Sequence, residues 1–184
     1  MNKLYLLIIP AVLLLVLSLN ASGQGQTYLG AGVDAMMPVG SFGDHWGVGF
    51  GATGELEYAV TPKTNITGKI GYLSWSANNV PSGVSATYSA VPLLAGIRYY
   101  PEFAKDLPVR FYGHLEMGLM IGSLSVSGTY ASLGSGKTDF TISPSAGIEI
   151  PAGSGGNVDA SIRYFDISEK SSIGLRVGYK FQIN

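Results

Sequence analysis

Two groups of side chains in this 184-residue chain have the types and spacing for acid–base chemistry. His114 and Glu116 stand two residues apart, so in a strand both project to one face and could exchange a proton. Ser41, Asp44 and His45 lie within five residues and supply the three types that a hydrolase or acyltransferase assembles. Neither group completes itself. His114 has no nucleophile at a matching spacing, and a stretch rich in Gly, Ser and Asp is what a turn requires for its own backbone. The chain has no Cys, which removes disulfides, a lipid anchor on Cys and the commonest soft metal ligand. No catalytic residue, metal site or cofactor is therefore expected.

Three motif matches lose their meaning in context. Gly49-Phe50-Gly51-Ala52-Thr53-Gly54 fits a dinucleotide-binding pattern but falls inside a strand-like segment and opens no helix. The stretch ASLGSGKT at 131–138 is one glycine short of a phosphate-binding loop, with Ala131 in place of the first, and again no helix follows. Asn65-Ile66-Thr67 matches a glycosylation acceptor at the start of a strand, where it carries little weight.

The elements that must position these groups are strands. From 172 to 184 the alternation is unbroken. Ile173, Leu175, Val177, Tyr179, Phe181 and Ile183 take one face, and Gly174, Arg176, Gly178, Lys180 and Gln182 take the other. The pattern recurs in segments near 27–37, 47–59, 65–75, 88–100, 109–125, 138–150, 158–167 and 172–183. Most reach the ~9–11 residues a tilted strand needs to cross a bilayer. An all-β, eight-stranded antiparallel up-and-down transmembrane barrel follows, with its apolar face toward lipid. With the N-terminus in the periplasm, the outer connections are 38–46, 76–87, 126–137 and 166–171, and the inner ones 60–64, 101–108 and 151–157. Aromatics on the apolar face divide between the two ends. Tyr58, Tyr99, Phe111 and Phe181 fall at inner ends, and Phe50, Tyr72, Phe140 and Tyr164 at outer ends, as interfacial girdles require.

The opposite parity gives the lumen its charges: Asp34, Glu55, Glu57, Lys69, Arg98, Arg110, His114, Glu116, Glu149, Asp159, Arg163, Arg176 and Lys180. Carboxylates and cations balance, and an eight-stranded barrel is only wide enough for side chains to fill it. Charges packed there must pair, because an isolated buried charge is costly. The alternative is a narrow polar conduit. Gly71, Gly96, Gly118, Gly147, Gly174 and Gly178 share this face and read as space for long charged side chains. A soluble barrel with its apolar face inside has the same periodicity.

Composition supports the membrane reading. Charged residues are 12% of the chain and Gly is 26 of 184, against about 25% and ~7% in ordinary domains. Lys3, the apolar run at 4–19 and Ala21-Ser22-Gly23 read as a signal peptide over 1–23, leaving one domain at 24–184. The net charge of −1 gives no basis for binding nucleic acid.

Several stretches resemble the small outer-membrane β-barrel domain family, the porin-like group of OmpA- and OmpX-type barrels, with the flavour of its Bacteroidetes/Chlorobi branch. They are Pro38-Val39-Gly40-Ser41-Phe42-Gly43-Asp44, Leu56-Glu57-Tyr58, Val91-Pro92-Leu93-Leu94-Ala95-Gly96-Ile97-Arg98-Tyr99-Tyr100, Arg163-Tyr164 and Gly178-Tyr179-Lys180-Phe181. The family usually closes on an aromatic residue, whereas here Gln182-Ile183-Asn184 follow Phe181. The resemblance implies a Gram-negative outer-membrane location and a monomer. Its partners would be outer-membrane lipid, lipopolysaccharide and the barrel-assembly machinery, besides an unidentified extracellular partner. The leading expectation is a non-enzymatic scaffold with a structural, adhesion or envelope role. A channel or transporter for small apolar solutes, drawing on inward Leu73, Leu94 and Met120, and a lipid A-modifying enzyme remain as alternatives.

Overall fold

The structure is a computed structural model that describes residues 25–78, 80–102, 107–127, 133–153, 155–167 and 170–183. The signal-peptide segment lies outside them, as do parts of the second, third and fourth outer connections. Eight strands follow in order: β1 (Thr27–Val39), β2 (Gly49–Thr61), β3 (Thr64–Ser76), β4 (Ser85–Tyr99), β5 (Arg110–Ser127), β6 (Leu133–Pro151), β7 (Gly156–Ile167) and β8 (Lys170–Gln182). Each pairs antiparallel with the next, and β1 pairs with β8, closing the barrel.

The alternation determines which face closes inward. Along β8, Ser172, Arg176 and Lys180 are buried, while Leu175 is 62% exposed and Val177 54%. The same inversion holds at Val33, Phe50, Ile70 and Ile97, all more than half exposed. A soluble barrel would bury these side chains. Here a belt of them faces outward, which in water would be an aggregation surface and in a bilayer is the solvated face.

Two prolines interrupt the ladders. Pairing of β3 with β4 skips from Ile70↔Leu93 to Leu73↔Ala90, opposite Pro92. Pairing of β6 with β7 skips from Ile142↔Asp166 to Ser145↔Arg163, beside Pro144. Proline has no N–H to donate, so each gap lies at the missing donor.

The third outer connection is much shorter than the sequence suggests. β6 begins at Leu133 rather than near 138, and pairs with β5 out to Val126↔Leu133. Among the described residues, its ladder with β7 runs out to Thr141↔Ile167. Among those residues, 133–140 are therefore paired on the β5 side alone, in a ribbon that continues past the ladder with β7. The Gly and Ser of this segment have low strand propensity, which pairing along the whole of β5 overrides.

Candidate functional site

The barrel places the inward charges of its terminal half, where β1 begins and β8 ends, in one connected cluster. Asp34, Glu55, Glu57, Lys69, Arg98, His114, Glu116, Glu149, Asp159, Arg163, Arg176 and Lys180 are all buried. Arg98 is the hub. Its Nη2 lies 2.6 Å from Glu55, and its Nη1 lies 2.9 Å from Glu57 and 3.0 Å from Glu149. The planar guanidinium carries five donors in a fixed fork, so it can serve several carboxylates at once. Its face rests 4.3 Å from the Tyr112 ring centroid.

Cations and hydroxyls from neighbouring strands complete the carboxylates. Lys180 Nζ lies 3.0 Å from Glu57 and also bonds to Glu149. The Tyr100 hydroxyl sits 2.8 Å from Glu57 and 2.6 Å from Glu149. Lys69 Nζ is 3.0 Å from Glu55 and 2.7 Å from Glu116. Arg176 Nη1 reaches Asp159 at 2.7 Å, and its Nε donates to the Thr53 hydroxyl at 3.0 Å. That hydroxyl in turn donates to Asp34 at 2.8 Å. Arg163 is held more loosely, 3.7 Å from Asp34 and 3.9 Å from Glu116.

Arg110 departs from the others. It opens β5 at the barrel rim, and its side chain is 47% exposed, stacked 4.0 Å over Tyr100 and 3.9 Å from Glu149. Parity assigns a side chain to a face but not to a depth, so a residue at a strand end with lumen parity still meets water.

The groups singled out for chemistry are engaged structurally. His114 Nε2 lies 2.8 Å from the Thr67 hydroxyl, and Nδ1 stands 3.8 Å from Glu116. Ligand atoms of Glu55, His114 and Glu116 fall within 4.8 Å of one another, a spacing that suits a metal. The Lys69 ammonium already takes the cation's place against both carboxylates. At the loop end, the His45 ring bonds the Ser41 carbonyl through Nδ1 at 3.0 Å, so the ring anchors a turn. The Gly49–Gly54 motif lies within β2 and the 133–138 part of the phosphate-loop match within β6, while 131 and 132 lie outside the described residues. Asn65 is buried and donates to Glu57.

Above the charges, the loop half of the lumen is apolar and aromatic, a layer that the sequence reading missed apart from Leu73, Leu94 and Met120. Met36, Trp75, Tyr88 and Phe165 join those three. Each shares its strand's lumen parity, so extending the parity to the strand ends would have found them. Phe42 could not be found that way. It comes from a single 3-10 turn, Gly40–Phe42, which follows β1 and folds into the mouth. Gly40 takes φ +60°, a left-handed conformation that lets the chain turn back over the lumen. The Phe42 ring meets Trp75 edge-on at 5.8 Å and Tyr88 at 5.9 Å between centroids. Trp46 packs on Phe42 and Tyr88. Backbone bonds stitch this cap to the next loop, from Gly47 N to Ser76 O at 2.9 Å and from Asn78 N to His45 O at 2.8 Å.

The inward glycines make space for both layers. A Cβ on Gly96 would lie 2.9 Å from the Glu116 Cγ and from His114 Nε2. Gly174 instead admits Met36, and Gly147 the Tyr112 ring, so the space is not reserved for ionic side chains.

On the outer face, Phe50, Tyr72, Phe140 and Tyr164 are exposed in the loop half, and Tyr99 and Phe181 in the terminal half. Tyr58 and Phe111 are half-buried at terminal strand ends.

The chain matches the family described as outer membrane protein beta-barrel domain over residues 9–181. No curated protein matches it in sequence. Among solved structures, it is similar to Neisserial surface protein A, at 16% identity and TM-score 0.63, covering 88% of this chain and all of the other. Ail, the attachment invasion locus protein of Yersinia pestis, solved with the heparin analogue sucrose octasulfate, gives 13% identity and TM-score 0.61 over the same shares. A major outer membrane protein of Thermus thermophilus gives 11% and 0.58, covering 85% of this chain and 99% of that one. At these identities the likeness is one of fold.

Proposed function

The chain belongs to the outer membrane protein beta-barrel domain family, and on that premise we propose that it is a non-enzymatic scaffold that meets its partner outside the cell. The observation that carries this reading is the filled lumen beneath an outward ribbon. Paired charges pack one half of the interior and a capped aromatic layer the other. A barrel closed in this way offers solutes no open path, and the apolar layer that a transporter would need is already occupied by Phe42, Trp75 and Tyr88. An even number of strands returns both ends to one side of the membrane, and with that side in the periplasm the β5–β6 ribbon points outward. Among the described residues, the edge of 133–140 away from β5 has no strand partner, and such an edge presents backbone donors and acceptors, the feature by which sheets recruit extended chains.

The Yersinia relative was crystallised with a polyanionic sugar. Nothing comparable is favoured here, since Lys137 on the ribbon is already 2.8 Å from Asp139. An uncharged or mixed protein surface suits this ribbon better than a polyanion. The test is to replace residues 124–135 with a two-residue turn and to compare attachment of displaying cells to immobilised extracellular matrix protein. The proposal expects attachment to fall while the barrel keeps its heat-modifiable folded form. Equal attachment would overturn it, as would turnover of lipid A or phospholipid by the reconstituted protein.

A further inference from the structure

A cleft and a furrow meet at the terminal rim of the barrel. The cleft, about 210 Å³, lies between the β2–β3 turn and the start of β5, with Lys63, Tyr100, Pro101 and Arg110 among its walls. The furrow, about 390 Å³, follows the outer wall over Phe111, Gly113, Ala146 and Ile148. Pro101 and Phe111 belong to both. The furrow has a simple cause. Phe111 pairs with Ile148, and the next outward pair is Gly113 with Ala146. A large pair followed by a small one leaves a dent on the lipid-facing side. A Cβ on Gly113 would meet no atom within 4 Å.

Arg110 supplies the chemistry of the cleft. Among the described residues, its guanidinium makes no hydrogen bond. It leans on the Tyr100 ring and lies 3.9 Å from Glu149. Glu149 is meanwhile held by Arg98 and Lys180. The second cation, Lys63, is paired with Glu102 at 3.1 Å. Arg110 thus holds a forked set of donors toward an open cleft, backed by an aromatic ring, the arrangement that suits a phosphate. A free phosphate would fill the cleft and leave the furrow unused.

We propose that the cleft and furrow together hold one anionic phospholipid of the leaflet at this rim, with its phosphate on Arg110 and an acyl chain in the furrow. The continuity of the two spaces is what selects a lipid over a soluble anion. On the orientation given above, this is the periplasmic leaflet. The site requires only that the barrel sits in a membrane, so it stands or falls apart from the ribbon.

Native mass spectrometry of the full barrel, released from nanodiscs of equal phosphatidylglycerol and phosphatidylcholine, tests the site. One retained lipid is expected, with phosphatidylglycerol favoured about fivefold, the factor one basic side chain contributes near an anionic headgroup. Arg110→Gln should abolish the preference while keeping an adduct. Gly113→Trp, which fills the furrow from the lipid side, should abolish the adduct of either lipid. Heat-modifiability confirms folding of both variants, and Lys63→Gln serves as a control that retains the preference. The proposal is overturned by a preference that survives Arg110→Gln, by an adduct that survives Gly113→Trp, or by glycerol phosphate competing as well as the lipid does.

Discussion

Arg98 meets Glu55, Glu57 and Glu149 within 3.0 Å, all of them buried. Such networks add little net stability over an apolar core, since desolvation offsets most of the attraction. Breaking one is different, because the remaining charges stay buried. Arg98→Met is expected to destabilise by about 3–5 kcal/mol, less if water enters. Arg110→Met, half exposed at the rim, should cost under about 1 kcal/mol. Urea unfolding in lipid vesicles measures both, and equal losses would refute the network. The lumen membership of these residues was legible from parity alone. Which carboxylate meets which cation was not, because partners such as Arg98 and Glu149 come from strands that are not neighbours and depend on barrel closure.

The strands carry the membrane claim. Leu175 lies on the outer face of β8 at 62% exposure, between buried Gly174 and Arg176. Leu175→Arg should cost about 2–4 kcal/mol near the bilayer midplane. A loss well below that range in the same unfolding series would place this face in water instead. The β8 alternation made this element readable to within two residues at either end. β6 was harder, since Gly134, Ser135 and Gly136 look like loop and extend the strand only because β5 pairs along them. The cap is the element that periodicity could not reveal. Phe42→Ala removes its central ring and should cost about 3 kcal/mol, the lower range for a buried Phe because the mouth admits water. That variant should still not conduct, as the ionic layer below remains closed.

At the scale of the whole molecule, the barrel is a membrane-spanning wall filled twice over. Ion pairs close one half of the lumen, and aromatic side chains with a stitched loop close the other. The sequence announced the wall and the charged half through strand alternation. The second closure escaped it because Phe42 reaches the lumen from a loop. Single-channel recording in planar bilayers tests this double closure most directly. The purified barrel should insert and show no conductance steps above the bare-membrane baseline. Discrete, reproducible openings would contradict the account and reinstate the channel reading.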